Sequence, residues 1–174
     1  LGIGYHFMQL EQQDPDPEIS FPTWSTARSR TRHYEFIYPS NLAERARRLT
    51  SQADAAHDKV VALLGAAPQT GIVVDMTEAF TRHAGLAYWE KIRMDVWFED
   101  RTDRLLAVLG HETAHVYLDR ESDSRLCDHF RFTRFFHEGV ASYAEYHLFR
   151  TPEELDTLWS VAAVMRARRQ VDFA

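Results

Sequence analysis

The run Thr102-Asp103-Arg104-Leu105-Leu106-Ala107-Val108-Leu109-Gly110-His111-Glu112-Thr113-Ala114-His115-Val116 carries two patterns at once. Leu105, Leu106, Val108, Leu109 and Val116 have the spacing of a mostly buried helix, with Thr102 or Asp103 expected at its N-cap. Inside that helix, H-E-x-x-H sets His111 and His115 four residues apart on one face, so both imidazoles can reach one metal ion. Glu112, next to the first of them, is positioned to hydrogen-bond a water on that metal. Two imidazoles, a carboxylate base and an open coordination position are the parts of a metal-dependent hydrolase. Gly110 costs a little helicity and leaves room for close packing beside the pair.

Catalytic zinc usually takes three protein ligands. The position six residues after His115 holds Glu121 rather than His, and no Gly marks a turn between them, which excludes the metzincin arrangement. A Glu from a second helix is another solution. Phe135-Phe136-His137-Glu138-Gly139-Val140-Ala141-Ser142-Tyr143-Ala144-Glu145-Tyr146 supplies one in Glu138, far enough beyond His115 for a short connection and an antiparallel return helix. Gly139, Ala141 and Ala144 are small enough to let two helices approach closely. Ser142 and Glu145 share the face of Glu138, and either can hold the second ring nitrogen of a ligating His. Asp119, four residues past His115, is a further candidate for that supporting role and a weaker alternative to Glu138 as third ligand. His137 points about 100° away from Glu138 around the helix and reads as non-ligating.

The pairing H-E-x-x-H with E-G-x-A-S-Y resembles the gluzincin zinc metallopeptidases, most closely the branch called peptidase MA-like. The upstream order of elements is similar to that family's as well. The resemblance implies zinc held by His111, His115 and Glu138, with Glu112 as general base. It implies an α+β fold in which a small zincin-type sheet of about three or four strands packs on the active-site helix, followed by a mainly helical C-terminal lobe. The implied activity is hydrolysis of a peptide or protein substrate, most simply as an endopeptidase. The alternative is a non-hydrolytic binding or regulatory domain of the same fold that keeps zinc as a staple. Ser142 stands where the thermolysin branch has Asp, and no G-x-M-E-N motif precedes the site, so the aminopeptidase grip on a free N-terminus is not evident. Tyr146 is the candidate for stabilising the oxyanion, with His83, Tyr88 and His147 behind it, while Tyr143 is expected to pack away.

The 174 residues suit one catalytic domain, and 45% hydrophobic content with 13% aromatics is enough for a proper core. Net charge of −6 disfavours nucleic acid as a partner and leaves no polybasic membrane patch. No apolar run is long enough to span a bilayer. Cys127 is the sole cysteine, so the chain holds no internal disulfide and no Cys-based zinc site. The start at Leu1 and the uncapped basic run Arg166-Ala167-Arg168-Arg169-Gln170 lead to the expectation of a fragment of a longer protein. The resemblance leans extracytoplasmic.

Upstream of the motif the chain divides into an irregular segment over 1–32 and an α/β lobe over 33–118; a helical lobe carrying the third ligand follows over 119–174. His33 to Tyr38 alternates as a strand that ends at Pro39. Ser40 is expected to cap a helix reaching Leu64, whose buried face is Leu42, Ala46, Leu49, Ala53, Ala56, Val60 and Leu64. Gly71 to Asp75 is a second strand, expected to be covered on both faces. Residues 76–90 read as loop or short helix, and Met94 to Phe98 as a third strand at the sheet edge, where an extended peptide can pair. Thr151-Pro152-Glu153-Glu154 opens a last helix, with Pro in its first turn. His6, His33, His57 and His129 lack a partner pattern and read as surface or core residues.

Overall fold

The computed structural model describes residues 25–78, 84–97, 99–122 and 130–156. Strand β1 (Thr26–Arg30) pairs antiparallel with β2 (Tyr34–Pro39). Helix α1 (Ala43–Leu64) crosses over to β3 (Ile72–Asp75), which lies parallel to β2. The hairpin β4 (Gly85–Tyr88) and β5 (Lys91–Met94) follows, with β5 parallel to β3. The spatial order β1-β2-β3-β5-β4 puts β4 at one edge. Helices α2 (Thr102–Glu121) and α3 (Phe130–Phe149) complete the described chain, with a helical turn at 152–156. The molecule is thus α+β with a mainly helical C-terminal part, and among the described residues its sheet has five strands rather than three or four.

Helix α1 follows its sequence pattern. Ala46, Leu49, Ala53, Ala56, Val60 and Val61 are buried at helical spacing. Gly65 ends it in the left-handed conformation at φ 66°, its N–H returning to the Val61 carbonyl, a geometry that costs glycine least. At the other end Ser40 does not cap α1. It begins a 3-10 turn (Ser40–Leu42), and its hydroxyl donates to the Ser25 carbonyl at 2.7 Å, pinning the start of β1.

Four further expectations are corrected. Residues 26–30, expected as irregular surface, form β1, where Arg28 and Arg30 pair with Glu35 of β2 across the ladder. Strand β3 is buried on one face only: Ile72 and Val74 are enclosed, Val73 and Asp75 are not. The third strand is Lys91–Met94 and stops early, because the Asp95 carboxylate takes the Trp97 N–H at 2.8 Å and turns the chain. Residue 98 lies outside the described residues. Among the described residues the edge on this side of the sheet is therefore β4, inside the stretch expected to be loop or short helix. Its hairpin turn is Trp89-Glu90, with Trp89 at φ 56° where glycine normally sits, so no turn signal marks it in the sequence.

The core lies between one face of the sheet and α1 with α2. Tyr34, Phe36, Leu49, Ile72, Val74, Ile92, Met94, Leu105, Leu109 and Val116 are buried there together. Helix α2 begins at Thr102 with Arg101 at the N-cap position and no side-chain cap, so neither Thr102 nor Asp103 serves. Instead the Arg101 side chain pairs with Asp103 in the first turn. At 151–154 the sequence signal holds: Thr151 Oγ1 accepts the Glu154 N–H at 3.3 Å and Glu154 accepts the Thr151 N–H at 3.0 Å, a reciprocal capping box.

Helices α2 and α3 meet through small residues, Ala114 against Ala141 and Ala144 with Val60 beside them. Gly139 is not part of this contact, since a methyl group built there meets nothing within 4 Å. Gly110 is part of it. A Cβ at Gly110 would sit 2.2 Å from Cε2 of Phe149. Alanine gains up to about 1 kcal/mol of helix propensity over glycine, but forcing carbon into a filled contact costs about 1–3 kcal/mol. Gly110→Ala is therefore expected to lower the melting temperature, and Gly110→Ala with Phe149→Leu to regain part of it.

Candidate metal centre

His111 and His115 stand one turn apart on α2, and Glu138 faces them from α3. The contacts Gly110 to Phe149, His111 to Glu145, His115 to Glu138 and Asp119 to His137 run in opposite order along the two helices, which are therefore antiparallel. The Nε2 atoms of the two histidines are 3.1 Å apart, and Glu138 Oε2 lies 3.6 Å from one and 3.5 Å from the other. The edge of a tetrahedron with metal–ligand bonds of about 2.0–2.2 Å is roughly 3.3–3.6 Å. These three atoms have the spacing of one face of such a tetrahedron, with a fourth corner left over. The imidazole planes meet at 71°, so their in-plane lone pairs can converge on one point. Glu138 is partly exposed at the mouth of the site, while His115 is buried.

The supporting contacts are specific. His111 Nδ1 lies 3.0 Å from Glu145 Oε2, and Glu145 is held in turn by Arg150 Nε at 3.0 Å. Burial pulls the His111 pKa down, but the Glu145, Glu112 and Glu138 carboxylates together outweigh it and raise it. Burial pushes that of Glu145 up, and His111 with Arg150 together outweigh it and lower it. His115 Nδ1 meets His137 Nδ1, and His137 Nε2 meets Asp119. Burial, with His111 and His137 nearby, pushes His115 down to about 3, keeping it neutral as a ligand must be. Glu145 and Asp119 are thus both joined to the histidines, Asp119 through His137. Both Nδ1 atoms are taken, which leaves neither for Ser142. His137 is not one of the three converging groups, but its tie to His115 was not legible. Its position beside Glu138 and the spacing of Asp119 from His115 were the only hints.

Glu112 is buried under the edge strand. A Cβ on Gly85 of β4 would lie 2.6 Å from Glu112 Oε1, so only glycine leaves the carboxylate that room. Burial pushes its pKa up to about 7, with the Glu138 charge adding to the rise and the backbone of Ala87 opposing it. The ring of Tyr146 lies under the Arg150 guanidinium, 5.9 Å from its centroid, and among the described residues no hydrogen bond joins its hydroxyl to the three converging groups. Tyr143 is exposed and stacks on His147, away from the centre. Tyr88 lies in β4; His83, Cys127 and residues 157–174 lie outside the described residues.

A second group, His33, His57 and Asp58, also brings ligand atoms together. Ring orientation separates the two groups. His33 and His57 stack face to face, 3.7 Å between centroids and 10° between planes. Parallel planes that far apart share no point at which both lone pairs are directed. A cation is already present, since Arg32 Nε donates to His33 Nε2 at 2.7 Å and its terminal nitrogen pairs with Asp58. Tyr117 joins the group from α2, its hydroxyl 2.9 Å from His57 Nε2. Burial and the neighbouring His33 lower the His57 pKa. The unfolded chain therefore takes up a proton that the folded chain resists, and stability is lost as pH falls below about 6.5. Thermal melts between pH 7.5 and pH 5 are expected to show a smaller drop for His57→Gln than for the wild type.

Comparison of the chain with protein-family models, curated proteins and solved structures finds no match. Among the described residues, no helix is long and apolar enough to cross a membrane.

Proposed function

We propose that this chain is a zinc-dependent peptidase of gluzincin type. The observation that carries the reading is the triangle of His111 Nε2, His115 Nε2 and Glu138 Oε2, with edges of 3.1 to 3.6 Å, beside a buried carboxylate on the same helix. Two imidazoles and one carboxylate, leaving one of four tetrahedral positions for water or substrate, are a donor set that suits catalytic zinc. A zinc ion there would polarise a substrate carbonyl and lower the pKa of a bound water.

The chain's own residues carry the remaining steps. Glu145 and His137 accept the Nδ1 protons of the two histidines and so keep both in the tautomer that offers Nε2. Glu112 takes a proton from the attacking water and returns it to the departing amine. Its pKa of about 7 in the metal-free chain suits a group that must do both near neutrality, and a nearby cation pulls it lower. Substrate enters as an extended peptide pairing with β4, the edge strand among the described residues, which runs directly over Glu112.

The test is metal content with cleavage of a mixed peptide library. One zinc per chain is expected, with hydrolysis lost on chelation and restored by added zinc. Full zinc occupancy without cleavage would move the reading to a zinc-stapled binding domain. Absence of zinc binding would end both.

A further inference from the structure

The two histidines are supported differently. His111 meets a carboxylate directly, whereas His115 meets another imidazole. His115 Nδ1 and His137 Nδ1 are 2.5 Å apart, the ring planes differ by 13° and the centroids are 4.6 Å apart. The centroid separation exceeds the N···N separation by slightly less than two ring radii, which leaves no room for one ring to lie over the other. The contact therefore runs edge to edge in the ring planes, as an N–H···N hydrogen bond does, and is not a face-to-face stack like that of His33 and His57. His137 Nε2 lies 2.8 Å from Asp119 Oδ1, and both of these side chains are only 4% exposed.

Proton placement follows from these contacts. An imidazole that offers Nε2 to a metal carries its proton on Nδ1. In His115 that N–H donates to His137 Nδ1. His137 then carries its own proton on Nε2 and donates it to the Asp119 carboxylate. Each proton has an acceptor, and the chain ends on a buried anion.

Resting on the zinc reading above, we propose that His137 is a positioning residue, an imidazole bridge through which Asp119 fixes the tautomer and ring orientation of His115. The bridge spans the helix interface. Asp119 and His115 belong to α2, and His137 comes from α3, adjacent to Glu138. One docking of α3 thus delivers both a ligand and the support for another ligand.

The experiment measures zinc affinity of the full chain by competition with a chromophoric chelator, together with the melting temperature of the metal-free protein. His137→Leu removes the acceptor for His115 and is expected to weaken zinc about 10- to 100-fold. His137→Asn keeps an acceptor oxygen near the Nδ1 position but loses the arm to Asp119, and is expected to fall between wild type and His137→Leu. Asp119→Asn leaves both rings and removes the charge, with a loss of about 10-fold expected. In the cobalt-substituted protein, His137→Asn is expected to retain the tetrahedral visible spectrum. A purely structural role for His137 would lower the melting temperature of all three variants without this order in affinity. Zinc affinity within about twofold of wild type in His137→Leu and Asp119→Asn would overturn the proposal. If His137→Leu does not fold, the Asn pair decides the question by the same criterion. A wild-type chain that binds no zinc would overturn the peptidase reading itself, and one that binds zinc without cleaving peptides would leave the bridge standing.

Discussion

Replacing Glu112 with Gln is expected to remove peptide hydrolysis while leaving one zinc per chain. Gln keeps the shape of the side chain, so the close fit under Gly85 is preserved and His111 and His115 stay in register. It cannot take the water's proton, and loss of a positioned general base costs about 10²- to 10⁴-fold in rate. The measurement is kcat on a cleaved peptide beside zinc content by elemental analysis. Unimpaired cleavage at full zinc occupancy would sink the mechanism. Stability supplies an independent check in the metal-free chain. Burial raises the Glu112 pKa from 4.5 to about 7, so its contribution to stability is full below pH 4.5 and is lost as pH rises through 7. Gln does not ionise. The metal-free variant is expected to be more stable than wild type at pH 8, by at most roughly 3 kcal/mol, with the difference closing as pH falls from 7 to 4.5.

Replacing Glu138 with Ala is expected to weaken zinc by more than about 100-fold, beyond the usual range for a supporting residue, and to abolish cleavage. Glu138 is partly exposed, with its side chain 43% accessible, and it is not among the small residues through which the two helices meet, so truncation leaves that contact intact. The metal-free melting temperature should therefore hold or rise, since a negative charge that acts on buried Glu112 is removed. Glu145→Gln is the matched comparison, because it touches His111 at the other nitrogen and should cost only about 10- to 100-fold. Equal effects of the two substitutions would remove the distinction between ligand and support on which the site assignment stands.

The upstream half of the fold was legible where neighbouring residues determine the local structure. Helix α1 follows its spacing of apolar residues almost position for position, and β2, β3 and the helix start at 151–154 lie where sequence signals put them. The hairpin β4–β5 was not legible. Its strands have four residues each, its turn holds Trp89 where a glycine would have marked it, and β4 gains its conformation only by pairing with β5. Asp95 ended the third strand through a side-chain bond that alternation does not encode.

By itself the sequence determined which side chains share a helix face: His111 with His115 on α2, and Glu138 with Glu145 on α3. Helical periodicity is a property of contiguous residues, so these relations survive without knowledge of the rest of the fold. The tertiary structure alone decided what each second ring nitrogen meets. It also decided that the carboxylate of Glu112 lies under a bare glycine of an edge strand, and that two stacked histidines are a polar core with Arg32 as its cation. Such contacts join residues tens of positions apart. They depend on helix docking and strand pairing to within an ångström, which composition and spacing do not specify.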